Sequence, residues 1–289
     1  MIKNILKKVL HFLMSLLFCF AIPVMIKQFV LRPVRFNLIG DNVAGQLFQW
    51  GLSLLLILFG YIFFIRIFEK RRAAELSLGG FLQGSLKGGL WGMMSIGVIF
   101  LVLFLSEVFR ITSLSGSTEM YQNVVLLFLL AATEEILYRG VLHRLIEKWT
   151  NTVIALVVSS VLFGIMHFSN DYFNVMSLIS IVSGGAVMGL AYSLTKSLWI
   201  PIFAHFAWNF SQVLMGIRLS GMDEFSNLAL FQSELTGKSL LTGGDFGVEN
   251  SIITIVYTAA FSIILGFRLH SRRAACPDFH ASNPSRTKI

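Results

Sequence analysis

Apolar stretches long enough to cross a lipid bilayer recur along this chain, and they limit its possible folds before any motif is considered. Spanning a hydrocarbon layer of about 30 Å takes about 20 predominantly apolar residues in a helix. Eight segments reach or approach that length, at approximately 9–31, 47–68, 86–106, 121–143, 152–168, 174–195, 198–217 and 251–270. Composition agrees, since 55% of the residues are hydrophobic, 13% are charged and the mean hydropathy is +0.75, which excludes an ordinary soluble domain. A helix satisfies its backbone polar groups internally, as lipid demands. The expected fold is therefore an all-α polytopic membrane protein with about eight transmembrane helices. The first stretch is too long for a removable signal peptide and lacks the small-residue cleavage site, so it is expected to stay as a helix.

Basic residues test this topology, because cytoplasmic loops carry the excess of Lys and Arg. With the amino terminus inside, fifteen basic residues fall on inside segments and six on outside ones, while Arg66 and Arg139 lie within helices. That bias predicts both termini in the cytoplasm. It also explains the net charge of +8 by topology and attraction to anionic headgroups, without nucleic acid. Residues 1–270 read as one integral membrane domain with its core at 120–215, and 271–289 as a disordered cytoplasmic tail. The longest loop is 218–250. Glycines at 80, 84, 88 and 92, and again at 185 and 189, have the spacing that lets helices approach closely; they imply packing and permit a dimer without demanding one. Cys19 and Cys276 make no disulfide framework, and neither is a catalytic candidate.

Glu134 and Glu135 sit side by side inside the fourth stretch, with Arg139 four residues after the second. A charge near mid-bilayer costs at least about 2.5–3.5 kcal/mol, so such residues face a protein interior or a watery cavity and mark a functional site. Adjacent helical residues point about 100° apart, so the two glutamates are not expected to share one role. Glu135 and Arg139 have the favourable i,i+4 orientation for an ion pair, which leaves Glu134 to look into a cavity. His167 closes Phe163-Gly164-Ile165-Met166-His167 at the end of the fifth stretch. His205 and Asn209 share a face of the seventh. With Glu134, these histidines form an acid/base set drawn from three helices. Glu134, His167 and His205 are also the two-histidine, one-glutamate set of some catalytic zinc sites, so a metal version stays open.

In these residues the chain resembles the CPBP intramembrane proteases, which comprise CAAX prenyl endopeptidases and bacterial bacteriocin-processing and immunity relatives. The family's motifs EExxxR, FxxxH and HxxxN or HxxxD stand here in order as Glu134-Glu135 with Arg139, Phe163 with His167, and His205 with Asn209. Tyr138 replaces the Phe that many relatives carry. The resemblance is strong over about 120–215. It implies peptide-bond hydrolysis in a cavity between the fourth, fifth and seventh helices. Glu134 would be the general base that deprotonates water, and His167 would help to hold that water. His205 and Asn209 would donate to the oxyanion, and Glu135 with Arg139 would orient the site. The favoured mechanism needs no cofactor, because a zinc-ligand Glu134 would leave no separate base except the paired Glu135.

Glu134 lies roughly 15 Å of helix from Arg144, and His205 about 10 Å beyond Leu198, which predicts a cavity reached from the cytoplasmic leaflet. Ser169-Asn170-Asp171-Tyr172 is expected to line it. Topology and size suggest a bacterial cytoplasmic membrane. The expected substrate is a membrane-associated peptide or protein, such as a pheromone, a bacteriocin leader or a membrane protein segment. The rival from another class is a non-catalytic peptide-binding, immunity or regulatory protein using the same cavity. A proton-coupled transporter needs two alternating halves, and no inverted repeat with a second Glu pair is visible.

Overall fold

The computed structural model describes residues 2–114, 120–222, 225 and 229–275, with backbone alone for 2–5. Eight helices occupy the eight expected places: α1 (2–39), α2 (Val43–Glu69), α3 (Leu78–Leu105), α4 (120–149), α5 (Thr152–Met166), α6 (Val175–Thr195), α7 (Trp199–Leu214) and α8 (Ile252–Ala275). The protein is an all-α polytopic membrane protein. Asparagines start three of the helices: Asn42, Asn151 and Asn174 each accept a hydrogen bond from a first-turn backbone N–H of α2, α5 and α6. Helix α8 runs on to Ala275, so 271–275 is helix and not tail; the rest of the expected tail, with Cys276, lies outside the described residues.

Five of the eight are long and apolar enough to cross a membrane: α2, α3, α6, α8 and the Leu6–Ile39 part of α1. The other three are α4, α5 and α7, the helices that carry the three motifs. Helix α4 is interrupted by its charges, α5 has 15 residues and α7 has 16. Right after Glu134-Glu135, α4 widens into a π-helical stretch, Ile136–His143, whose side chains are all buried. Such widened turns recur at functional sites.

The glycine face of α3 seats α7. A Cβ at Gly84 would come within 2.5 Å of the Trp199 Cβ, at Gly88 within 2.4 Å of the Ile200 carbonyl oxygen, and at Gly92 within 2.2 Å of the Ala204 carbonyl oxygen. The ladder thus packs inside the chain instead of offering a dimer face. The 218–250 segment is not a plain loop. Its strand β2 (Phe231–Leu235) pairs antiparallel with β1 (Phe109–Leu114), Arg110 bridges to Glu234 at 2.6 Å, and short helical turns lead into α8.

At the opposite end a buried ionic network joins α1, α2 and α4. Glu69 accepts from Arg144 at 2.7 and 2.9 Å and from Arg71 at 2.8 Å, and His11 is 3.3 Å away. Glu75 accepts twice from Arg71 at 2.9 Å and once from the Tyr61 hydroxyl. Nearby, Glu147 receives Lys196 at 2.7 Å and Thr152 at 2.7 Å. Arg71 pairs with acids close by in sequence, whereas the pairings of Glu69 with Arg144 and His11 and of Glu147 with Lys196 join residues distant in sequence and are not readable from spacing.

Candidate active site

Because α3 fixes α7 at backbone contact, His205 is brought level with the glutamates of α4. Its Nδ1–H donates to Glu135 Oε1 at 2.8 Å, and its Nε2 stands 3.8 Å from Glu134 Oε2. One imidazole therefore reaches both carboxylates, although they point apart on their own helix. The two ring nitrogens span the angle between the side chains, each facing a different carboxylate. Glu135 is fully buried and also receives Arg139 Nη1 at 2.8 Å, the expected i,i+4 pair. Arg139, 1% exposed, donates its other nitrogen to the Gly185 carbonyl of α6 at 3.0 Å and lies 4.7 Å over the Phe163 ring. Among the described residues, Glu135 Oε2 is buried without a hydrogen-bond partner.

Phe163 is the aromatic centre of the site. Besides Arg139 it meets the rings of His167 at 4.7 Å, Tyr138 at 5.0 Å and His205 at 6.1 Å. His167 follows the last turn of α5, and its Nδ1–H donates to the Phe163 carbonyl at 2.8 Å, which leaves Nε2 as the free ring nitrogen. Asn209, one turn beyond His205, is 5% exposed and sits away from the cavity lining. Glu134 keeps 21% side-chain exposure.

A cavity of about 80 Å³ opens beside the histidines. His167, His205, Phe163 and Trp208 line it, together with residues of α3, α6 and α8 and with Ser220 and Glu249 of the α7–α8 connection. The side chains of the three motifs come together from α4, α5 and α7, as expected, while the cavity beside them is lined by α3, α5, α6, α7 and α8, and Glu134 touches it only through His205. The cavity lies toward the end that carries the α7–α8 connection, away from the basic end, because α5 delivers His167 at its far terminus. The 169–172 stretch does not line it; Asn170 instead donates to the Ser220 carbonyl at 2.9 Å and ties two connections together. A wider cavity of about 810 Å³ faces the basic end between α6, α7 and α8, and Trp91 and Phe261 border both.

Sequence reasoning missed Glu249, which Trp208 Nε1 reaches at 2.9 Å and Gln212 at 3.1 Å. The only sequence signal was an acid two residues before an apolar run. Among the described residues no three His, Cys, Asp or Glu side chains are grouped as metal ligands, while His205, with Nδ1 held by Glu135, keeps Nε2 turned toward Glu134.

The fold and the site together define a polytopic membrane protein with a cluster of glutamate, histidine and arginine side chains between its helices. Residues 116–211 match the family described as Rce1-like, Type II CAAX prenyl endopeptidase. Over 82 residues the chain is 34% identical to the "Putative membrane peptidase YdiL" of Bacillus subtilis (strain 168), a match covering 28% of this chain and 32% of that protein. The chain thus spans about a third of the length of that relative. No solved structure matches. The motif-bearing core is thus similar to the CPBP family.

Proposed function

We propose that this protein is an intramembrane endopeptidase that hydrolyses a peptide bond of a membrane-associated peptide or protein. The observation that carries the reading is the His205 ring set between two carboxylates, with Nδ1 held by Glu135 and Nε2 facing Glu134. In this reading Glu134, the more exposed carboxylate, takes the proton of the attacking water. His205 Nε2, when protonated, donates to the oxyanion of the tetrahedral intermediate; one such donor is typically worth about 2.7–4 kcal/mol. His167 Nε2 accepts from the same water, and Glu134 passes the proton it has taken to the leaving amine. Arg139 fixes Glu135, and Glu135 fixes the ring, so this pair orients rather than reacts. Asn209 supports α7 below His205 and reaches the oxyanion only if substrate binding turns its amide.

Lys196 and Arg273 gather around Glu147, at the same end as Arg144, and this supports an orientation with both termini in the cytoplasm of a bacterium. The cavity with His167 then belongs to the outer half of the membrane.

The test compares peptide termini by mass spectrometry in cells carrying wild-type protein or Glu134→Gln at matched membrane levels. Termini made by wild type should fall by about 10²–10⁴-fold in the variant, the usual worth of a general base. Identical termini, with a cellular phenotype that Glu134→Gln keeps, would move the assignment to the non-catalytic peptide-binding or immunity class.

A further inference from the structure

The cavity contains one carboxylate that the proposed hydrolysis does not use. Glu249 Oε1 accepts from Trp208 Nε1 at 2.9 Å and from Gln212 at 3.1 Å, and Oε2 accepts from the Ser220 hydroxyl. All three donors are neutral. No Lys or Arg lines the cavity, and among the described residues no cation pairs with Glu249. A half-buried carboxylate hydrogen-bonded only by neutral dipoles attracts a cation that can reach it. The remaining walls favour the same kind of guest, since Trp91, Trp208 and Tyr257 line the cavity and aromatic rings attract cations at their faces.

The backbone that carries Glu249 is built to hold it. Gly243 and Gly247 both have positive φ, and a Cβ on Gly247 would come within 2.2 Å of the Arg218 carbonyl oxygen, so neither position admits a side chain without strain. Asn250 donates to the Gly243 carbonyl at 3.1 Å, and the Ser180 hydroxyl of α6 donates to the carbonyl of Glu249 itself. The carboxylate is therefore fixed on the same cavity wall system that presents His167 and His205.

We infer that this cavity is a binding site for an organic cation, and that it receives a lysine or arginine side chain of the substrate beside the scissile bond. The second half of that statement rests on the endopeptidase reading; the first does not. Glu249 is a specificity-determining residue, and it selects peptides with a basic residue over those with an acidic or apolar one at that position.

The full-length protein in nanodiscs is titrated with n-hexylammonium and, separately, with n-hexanol, read by tryptophan fluorescence. Hexylammonium should saturate at concentrations at least tenfold lower than hexanol in wild type. Glu249→Gln should erase that preference with an unchanged melting curve, and Glu249→Asp should keep it. Tyr257→Leu, which leaves the donors to Glu249 in place, should weaken hexylammonium more than hexanol, so the test survives a poorly folding Glu249→Gln. Equal binding of the two probes in wild type, or a preference that persists in Glu249→Gln, overturns the inference. The same titration on Glu134→Gln should match wild type, which separates the cation site from hydrolysis. A peptide series with Lys, norleucine or Glu at successive positions then reports preference through cleavage. Cleavage indifferent to Lys against norleucine overturns the substrate assignment, even where hexylammonium binds.

Discussion

Arg139 shows how much a single side chain holds in this site. Its guanidinium joins Glu135 of its own helix, the Gly185 carbonyl of α6 and the ring of Phe163 on α5. A lysine would keep the charge but cannot supply the planar fork or the stacking surface. Removing one partner of a buried pair typically costs about 3–5 kcal/mol, because it leaves the other charge uncompensated. Arg139→Ala should therefore lower unfolding stability in detergent by about that amount, and Arg139→Lys should recover only part of it; equal stability of all three proteins would refute the assignment. The Glu135–Arg139 pair was legible in the sequence, since four residues on a helix decide it. The contact of His205 with Glu135 was not, because 70 residues separate the two and their meeting depends on how α7 rests on α3.

At the scale of helices, the ladder on α3 sets the height of the His205 ring. Gly92 touches the backbone of Ala204, the residue immediately before His205. Gly97, on the same helix, faces open space. Gly92→Ala should force α3 and α7 apart and cost about 1–3 kcal/mol, as overpacking does; any peptidase activity should fall with it. Gly97→Ala should leave both unchanged. Stability and activity assays on the two variants check this, and equal behaviour would dissociate the ladder from the site. Helix positions were readable from apolar run length to within three residues for α5, α6 and α7, while ends of α1 and α3 lie seven or eight residues beyond the apolar runs. The π-helical stretch of α4 was not, because nothing in Ile136–His143 marks a widened turn. The use of the ladder inside the chain was also hidden, since small-residue spacing fits an intramolecular partner and a second copy equally well.

For the molecule as a whole, the network at the basic end makes stability depend on pH. Burial alone would raise the carboxyl of Glu75, but hydrogen bonds and charge from Arg71, with Arg144 and Tyr61, hold it below the usual carboxylate range. Glu147 is lowered against its own burial by Lys196 and Thr152. A folded value below the unfolded one gives stability that is complete above the ordinary carboxylate range and is lost as pH falls through the folded value. Thermal unfolding should thus be flat from neutrality to about pH 5 and fall below it, with a shallower fall in Glu147→Gln. A Tm that rises on acidification would contradict this sign. The sequence showed that one end is basic; the acids that neutralise Arg144 and Lys196 come from distant segments and were invisible to spacing. Cavity placement failed for a related reason, since depth along single helices says nothing about which helices close around a void. The shortness of α5 has a further consequence. Its 15 residues span about 22 Å, against about 30 Å of hydrocarbon, and its outer face from Val153 to Met166 is apolar and exposed. Lipid meeting that face must thin to match it. The headgroup layer is then drawn inward beside His167, which brings the water line toward the glutamates and histidines instead of leaving them at the depth of a full-thickness bilayer.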